Sequence, residues 1–342
     1  MEAKMRIGSY FDCLWFDSRD RRLKDIPKIK DTGFDWLASN FTPDDEPVIK
    51  ACQDAGIKIL FSRNVTTLDQ AKVFWDKYST IDGYIVADDA NYYKPDEIIK
   101  VRDEVKKFMR PDMKTFITVG KGTDPNLYAN LCDWYGKQNY VWKEPSPSLK
   151  MWYWDKIKED RAICKGRLIV HPYLGKNGTP QQEPYKSDPV WNAKEYTPVA
   201  YNEAAIWASI AAGADDILFY TLYNVYQHDA SVYNYVLERW DLVPAYKEMF
   251  QRIRSYEKYL EEGTRLPFEN GRIVGATFTL PTGEYLKVEV DTFERNPKVD
   301  LTIVEPEPVP GPVPPKKVTV NVKSDTVMIT GEDGIEFQTS VS

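Results

Sequence analysis

Apolar runs of strand length alternate with helix-spaced segments eight times between Met5 and Glu262, and that rhythm leaves few folds open. The strand candidates are Met5–Phe11, Phe34–Ser39, Ile57–Ser62, Tyr84–Ala87, Lys114–Val119, Leu131–Tyr135, Arg167–His171 and Asp216–Thr221. Helical stretches fall between them: Leu23–Thr32, with Leu23, Ile26 and Ile29 on one face; Pro47–Ala55, stopped by Gly56; Leu68–Tyr78; Pro95–Met109; a short Pro125–Ala129; Ser148–Cys164; and Thr197–Ala212, stopped by Gly213. Helices then run from about Val232 to Glu262. Eight strand-then-helix units in roughly 260 residues predict a (β/α)8 TIM barrel. The rival, a doubly wound open sheet, would carry a glycine-rich phosphate loop after an early strand, and Gly8-Ser-Tyr is not one.

From Arg265 the texture changes. Gly271–Leu280 and Glu284–Asp291 are alternating runs around Pro281-Thr-Gly283, a hairpin signature, and Val299–Val304 reads as a further strand. Glu305–Pro315 is an extended proline-rich spacer. Beyond it Val318–Val322, Thr326–Thr330 and Ile335–Phe337 are three short strand candidates, too few residues to hold a core alone. The expected organisation is a barrel over 1–263, a small C-terminal β-strand domain over 264–304, a Pro-rich linker over 305–316, and over 317–342 a β-rich tail or the start of a further module.

The segment with most chemical content is Ile81-Asp-Gly-Tyr-Ile-Val-Ala-Asp-Asp-Ala-Asn91. A buried strand ends there in two adjacent carboxylates, where barrel enzymes keep catalytic groups. Such a pair is costly beside an apolar wall unless it is solvated or used; the plainer reading is that one aspartate caps the following loop. Other strand ends would deliver Tyr10, Asp12 and Trp15; Asn40; Arg63 and Asn64; Thr118 and Lys121; Asp133 and Trp142 with Glu144; His171, Tyr173 and, in the loop beyond, Glu183; and Tyr220, Tyr223 and Asn224. Ten Trp and 22 Tyr are unusually many; core packing is one use for them, and flat rings among acids and amides also suit polyhydroxylated ligands.

Exclusions follow from the rest of the composition. With 45 basic against 52 acidic residues, net charge −7 and no basic stripe, nucleic acid is not an expected partner. Four scattered cysteines and two histidines make no metal centre or disulfide framework, so no cofactor or metal is expected. No apolar run reaches membrane-span length, and Met1-Glu-Ala-Lys-Met-Arg6 lacks the apolar core of a secretory signal. Oligomeric state and location stay open, an extracellular, cell-surface or virion-surface setting being compatible with the appendage.

Gly8-Ser-Tyr-Phe11, the strand-four segment, and Glu203-Ala-Ala-Ile-Trp-Ala-Ser-Ile-Ala-Ala-Gly-Ala-Asp-Asp-Ile-Leu-Phe-Tyr220 together resemble barrel glycoside hydrolases of the β-galactosidase and cellulase type, over about residues 5–255. The resemblance implies hydrolysis of an oligo- or polysaccharide, with Asp89 where those enzymes place an acid/base glutamate and Asp88 where they have Asn or Asp. Two departures stand out. Aspartate is one methylene shorter, and strand seven ends in His171-Pro-Tyr173 where a nucleophilic carboxylate is expected. The second carboxylate would then come from Asp12, Asp133, Glu144 or Glu183, with Asp12 and Glu183 the leading catalytic candidates beside Asp89 and Asp88. Tyr10, Asn40, Arg63, Asn64, His171, Tyr173, Tyr220, Tyr223, Trp15 and Trp142 are the expected substrate-binding residues. The alternative is a non-catalytic carbohydrate-binding or structural adhesion barrel.

Overall fold

The computed structural model describes residues 5–11, 19–62, 68–139, 148–174, 197–220, 222–224, 234–235, 242–293, 297–306, 319–323, 326–330 and 336–340. Strands β1 (Ile7–Tyr10), β2 (Trp36–Ser39), β3 (Lys58–Ser62), β4 (Ile81–Ala87), β5 (Lys114–Val119), β6 (Trp134–Gln138), β7 (Arg167–His171) and β8 (Asp216–Phe219) are parallel and close into a barrel in chain order, β8 pairing back to β1. Around them lie α1 (Arg19–Thr32), α2 (Glu46–Asp54), α3 (Leu68–Lys77), α4 (Pro95–Lys106), α5 (Pro125–Tyr128), α6 (Lys156–Ile163), α7 (Val199–Ala212), α8 (Val243–Ser255) and α9 (Glu257–Glu262). This is the expected (β/α)8 architecture.

Local signals explain the boundaries. α4 opens on Pro95, and Glu97 accepts from the Lys94 backbone N–H at 3.2 Å, a carboxylate satisfying an otherwise orphaned donor. α7 ends where Gly213 takes φ +124° and returns its N–H to Ser209 and Ile210. Every residue from Ala204 to Ala212 is buried, because α7 is covered by the barrel on one side and by the C-terminal sheet on the other.

Three boundaries differ from the sequence expectation. β6 starts at Trp134, three residues later than its apolar run, since Leu131–Asp133 form the turn before it. The Ser148–Cys164 helix opens with a π-helical Lys150–Asp155 before α6. Among the described residues of the expected 232–262 helical region, helix begins at Val243, and Asn234–Tyr235 (β10) instead pairs antiparallel with Tyr223–Asn224 (β9).

Behind the barrel, β11 (Thr264–Asn270), β12 (Ile273–Thr279), β13 (Tyr285–Asp291) and β14 (Lys298–Val304) form an antiparallel sheet in that order. In β13 the burial alternates, with Leu286, Val288 and Val290 facing the core. β11 was not legible as a strand because Pro267 interrupts it and most of its residues are exposed; as an edge strand it tolerates both. The barrel and this sheet belong to one compact unit, Met1–Val304. The second unit, Glu305–Ser342, contains β15 (Thr319–Lys323), β16 (Thr326–Thr330) and β17 (Glu336–Ser340), an antiparallel three-stranded sheet paired within itself.

The barrel interior is layered. At its N-terminal base Arg6 and Arg167 both engage Asp216, at 2.9 and 2.7 Å, and Arg6 also reaches Asp82. The Arg6 guanidinium lies 4.3 and 4.1 Å from the Trp36 and Trp134 ring centres. Burial alone would raise the Asp216 carboxyl, but the two arginines outweigh it and hold its pKa below the usual range. Above this plug sits an apolar layer with Ala38, Leu60, Ile85, Phe116, Ile169 and Leu218. By strand alternation the next layer, at the mouth, is polar: Tyr10, Asn40, Ser62, Thr118, Gln138, His171 and Tyr220, one each from seven strands.

Candidate active site

The remaining strand, β4, joins that ring through an irregularity. Ile85 pairs with Phe116 and faces the interior, yet Ala87, not Val86, pairs with Ile117. Val86 and Ala87 both pack into the outer core between strands and helices. This β-bulge absorbs one residue and switches the face, so Asp88 turns inward. There its Oδ1 accepts from Tyr10 Oη at 3.3 Å, from Gln138 Nε2 at 3.1 Å and from Thr118 Oγ1. Thr118 Oγ1 in turn accepts from Gln138 Nε2 at 2.9 Å and from the Asp89 backbone N–H at 3.0 Å.

Asp89 takes φ 50° and ψ 48°, and among the described residues it is the only non-glycine with positive φ. Aspartate tolerates this left-handed conformation better than most residues, but it still carries strain of a kind that concentrates at functional sites. The 3₁₀ turn that follows, Ala90–Tyr92, is pinned where Asn91 Oδ1 accepts from the Gly120 N–H at 2.9 Å. Tyr128 Oη adds a bond to the Tyr93 carbonyl at 3.1 Å. A cavity of about 440 Å³ opens here, lined by Ser62, Asp88, Asp89, Tyr92, Tyr93 and Glu97. Tyr92 is 81% exposed at its edge.

The two carboxyl groups are electrostatically strained. Partial burial and then the neighbouring charge of Asp88 push Asp89 up to about 6, with Gln138 offsetting a little. Asp88 is also raised, by the protein crowding its recess, against the pull of Thr118, Tyr10 and Gln138. Asp88 keeps solvent-exposed surface, so water tempers that rise. One proton shared across such a pair is a standard way to hold an acid and a base side by side.

His171, at the end of β7, lies fully buried between two rings: stacked on Phe116 at 5.8 Å and tilted against Tyr10 at 5.8 Å. Among the described residues neither ring nitrogen has a hydrogen-bond partner, and burial pushes its pKa down to about 3, so the imidazole is neutral. The space it occupies exists because residue 136 is glycine: a β-carbon there would meet His171 Nε2 at 2.5 Å and Phe116 Cζ at 2.7 Å. Tyr220 packs edge-on to Tyr10 at 5.6 Å and against Tyr173 at 6.4 Å, with Tyr173 almost wholly buried.

Of the expected site residues, the fold gathers Tyr10, Asn40, Asp88, Asp89, His171, Tyr173 and Tyr220 at the mouth. Asp12, Trp15, Arg63, Asn64, Trp142, Glu144 and Glu183 lie outside the described residues, and for Tyr223 only the backbone pairing with Tyr235 is described. Asp133 is corrected: it precedes β6 at the base of the barrel, where it accepts from Thr115 N–H and Oγ1 at 2.8 and 2.7 Å and pairs with Lys106. It cannot be the second carboxylate. Gln138, which touches Asp88 and Thr118, escaped sequence reading; with β6 started at Trp134, counting by twos through Gly136 leads to it. Among the described residues, no three of His, Cys, Asp or Glu gather closely enough to hold a metal ion, and no helix is long and apolar enough to cross a membrane.

Comparison with known proteins adds the fold's context. No family model and no curated protein matches the chain by sequence. Solved structures do match by shape. A glycoside hydrolase aligns with TM-score 0.59 at 12% identity, over 89% of both chains. A glycoside hydrolase family 5 protein from Bacteroides vulgatus aligns with TM-score 0.54 at 13% identity, over 88% of this chain and 89% of that one. A putative β-galactosidase from Bacteroides fragilis aligns with TM-score 0.50 at 12% identity over 89% of this chain, which spans only 55% of that longer protein. At such identities the likeness is one of architecture: this chain carries the eight-stranded parallel barrel on which those glycoside hydrolases are built.

Proposed function

We propose that the protein is a glycoside hydrolase acting on an oligo- or polysaccharide, with Asp89 as general acid and Asp88 as the adjacent carboxylate at the barrel mouth. The observation that carries this reading is the acid pair itself. A bulge aims Asp88 inward, a left-handed backbone holds Asp89, and Asp89 titrates at about 6. A carboxylic acid protonated near neutrality can give its proton to a departing glycosidic oxygen. Tyr10, Thr118 and Gln138 hold Asp88 on a shared oxygen, fixing its orientation beside the acid. Asn40 and Tyr220 face the mouth for sugar hydroxyls and C–H faces, with the buried His171 and Tyr173 packed behind as support. Asp12 and Glu183 remain the candidates for a more distant carboxylate, and Trp15, Trp142, Arg63, Asn64 and Tyr223 for further contacts with the sugar.

One observation favours a second reading, a carbohydrate-binding or structural barrel without turnover: β7 ends in a buried neutral histidine where retaining relatives carry a nucleophile. A glycan array followed by a chromogenic glycoside panel, wild type against Asp89→Asn, separates the two. Turnover abolished by the substitution supports the hydrolase. Saturable binding with no turnover in either protein replaces it with the binding barrel.

A further inference from the structure

A cavity of about 980 Å³ lies at the opposite end of the barrel from the acid pair. It is bounded by the N-terminal ends of β5, β6 and β7, by the turn after α7, by α9, and by β11 and β12 of the C-terminal sheet. The base of a barrel ordinarily serves stability, and barrel phosphate sites sit at the other face, so a recess of this size calls for an account.

Its charge is the clue. Lys114, Arg161, Lys165, Arg167 and Arg265 line it, against Asp133, Asp215 and Glu261. Most of these are already engaged. Arg161 donates to Asp215 Oδ2 at 2.8 Å and to the Cys164 and Gly166 carbonyls, Arg167 pairs with Asp216, and Asp133 is held by Thr115 and Lys106. Among the described residues Arg265 has no hydrogen-bond or ion-pair partner, although it is half-buried on β11. Lys114 and Lys165 make no side-chain ion pair either, and the one unengaged acid is the exposed Glu261. Arg265 is also pressed against a second cation: a β-carbon at Gly213 would overlap both Arg265 Nη1 and Arg161 Cγ. Burial and then the nearby Arg161 charge pull the Arg265 pKa downward, and the more weakly felt charge of Asp215, already paired with Arg161, only partly offsets them. A desolvated, unpaired guanidinium held beside another is unfavourable on its own and becomes favourable when an anion fills the gap.

We infer that this basal recess is a binding site for a small oxyanion of the phosphate or carboxylate class, gripped by the free guanidinium fork of Arg265 with Lys114 and Lys165 at its rim. The ligand would bridge the barrel to the C-terminal sheet, because Arg265 belongs to β11 and the lysines to the barrel. The inference is independent of the chemistry at the mouth.

Thermal unfolding of the full chain tests it, in phosphate, pyrophosphate or malonate, each against sodium chloride at matched ionic strength. The expected result is a saturable rise in Tm with at least one of the three anions and none with chloride; the responding anion distinguishes phosphate from carboxylate. In Arg265→Gln that rise disappears, while Tm in anion-free buffer stays level or increases, since an unfavourable charge has been removed. A merely structural arginine would instead lower Tm on substitution. No saturable rise in the wild type overturns the inference, as does an equal rise in Arg265→Gln. Lys114→Gln/Lys165→Gln, both exposed positions, should weaken the apparent affinity by roughly tenfold without unfolding the protein.

Discussion

Tyr10 Oη donates to Asp88 Oδ1 across the barrel mouth, so the first strand and the fourth meet through one hydrogen bond 78 residues apart in sequence. At 3.3 Å this is a long bond, shared with closer donors from β5 and β6. Its role is to favour the ionised form of Asp88, and thereby to leave the proton of the pair on Asp89.

Tyr10→Phe therefore raises the pKa of Asp88. If the pair runs a hydrolytic reaction, the pH–rate profile should shift upward by about half a unit to one unit, a fraction of what a charged hydrogen bond contributes. A profile unchanged by the substitution would remove Asp88 from the titrating pair.

Asp89 must be protonated to act as an acid. With its pKa near 6, activity should fall as pH rises through about 6, and Asp89→Asn should lose on the order of 10²- to 10⁴-fold in kcat on a chromogenic glycoside while keeping KM. The same substitution should stabilise the fold at pH 8. The folded Asp89 binds its proton more tightly than the unfolded chain does, so the wild type loses stability as pH climbs from about 4 through 6. Asparagine keeps the left-handed backbone and escapes that loss. Urea midpoints at pH 8 should favour Asp89→Asn by roughly 0.5–1 kcal/mol, allowing for solvent at the mouth, and converge at pH 4.

His171 works in the opposite sense. Its folded pKa of about 3 lies below the unfolded value of 6.5, so the stability tied to its neutral form is full above pH 6.5 and drains away as pH falls toward 3. His171→Met, similar in volume and without an ionisable group, should flatten the decline in urea midpoint between pH 7 and pH 4.5. Gly136→Ala, by driving a methyl into the imidazole and Phe116, should cost about 1–3 kcal/mol at every pH.

At the other end of the barrel, Asp216→Asn leaves Arg6 and Arg167 without their shared countercharge inside a ring of tryptophan and strand backbone. A loss of about 3–5 kcal/mol is expected by chemical denaturation, with any activity of the folded fraction at the mouth unchanged.

Most of the architecture was legible because each strand-and-helix unit advertises itself: an apolar run, a helical face, and punctuation at Gly56, Pro95 and Gly213. Asp88 and Asp89 were legible for the same reason, as uncompensated charge at the end of an apolar run. What escaped depended on register. Gln138 became visible only once β6 was seen to begin at Trp134, and Asp133 was misplaced by the same three residues. β11 was hidden by Pro267, which an edge position excuses. The unpaired state of Arg265 follows from packing between a helix, a glycine turn and a strand over 100 residues apart, and no local pattern encodes it.

The surplus residue in the fourth strand carries a last implication. Deleting Val86 would restore even pairing with the neighbouring strand and still leave Asp88 inward, since Ile85, Ala87 and Asp88 would then alternate in, out, in; keeping all the residues while losing the bulge would instead turn Ala87 inward and Asp88 toward the surrounding helices. Whether this scaffold presents an acid or an aliphatic side chain to a ligand thus rests on one irregularity of pairing rather than on which residues the strand contains.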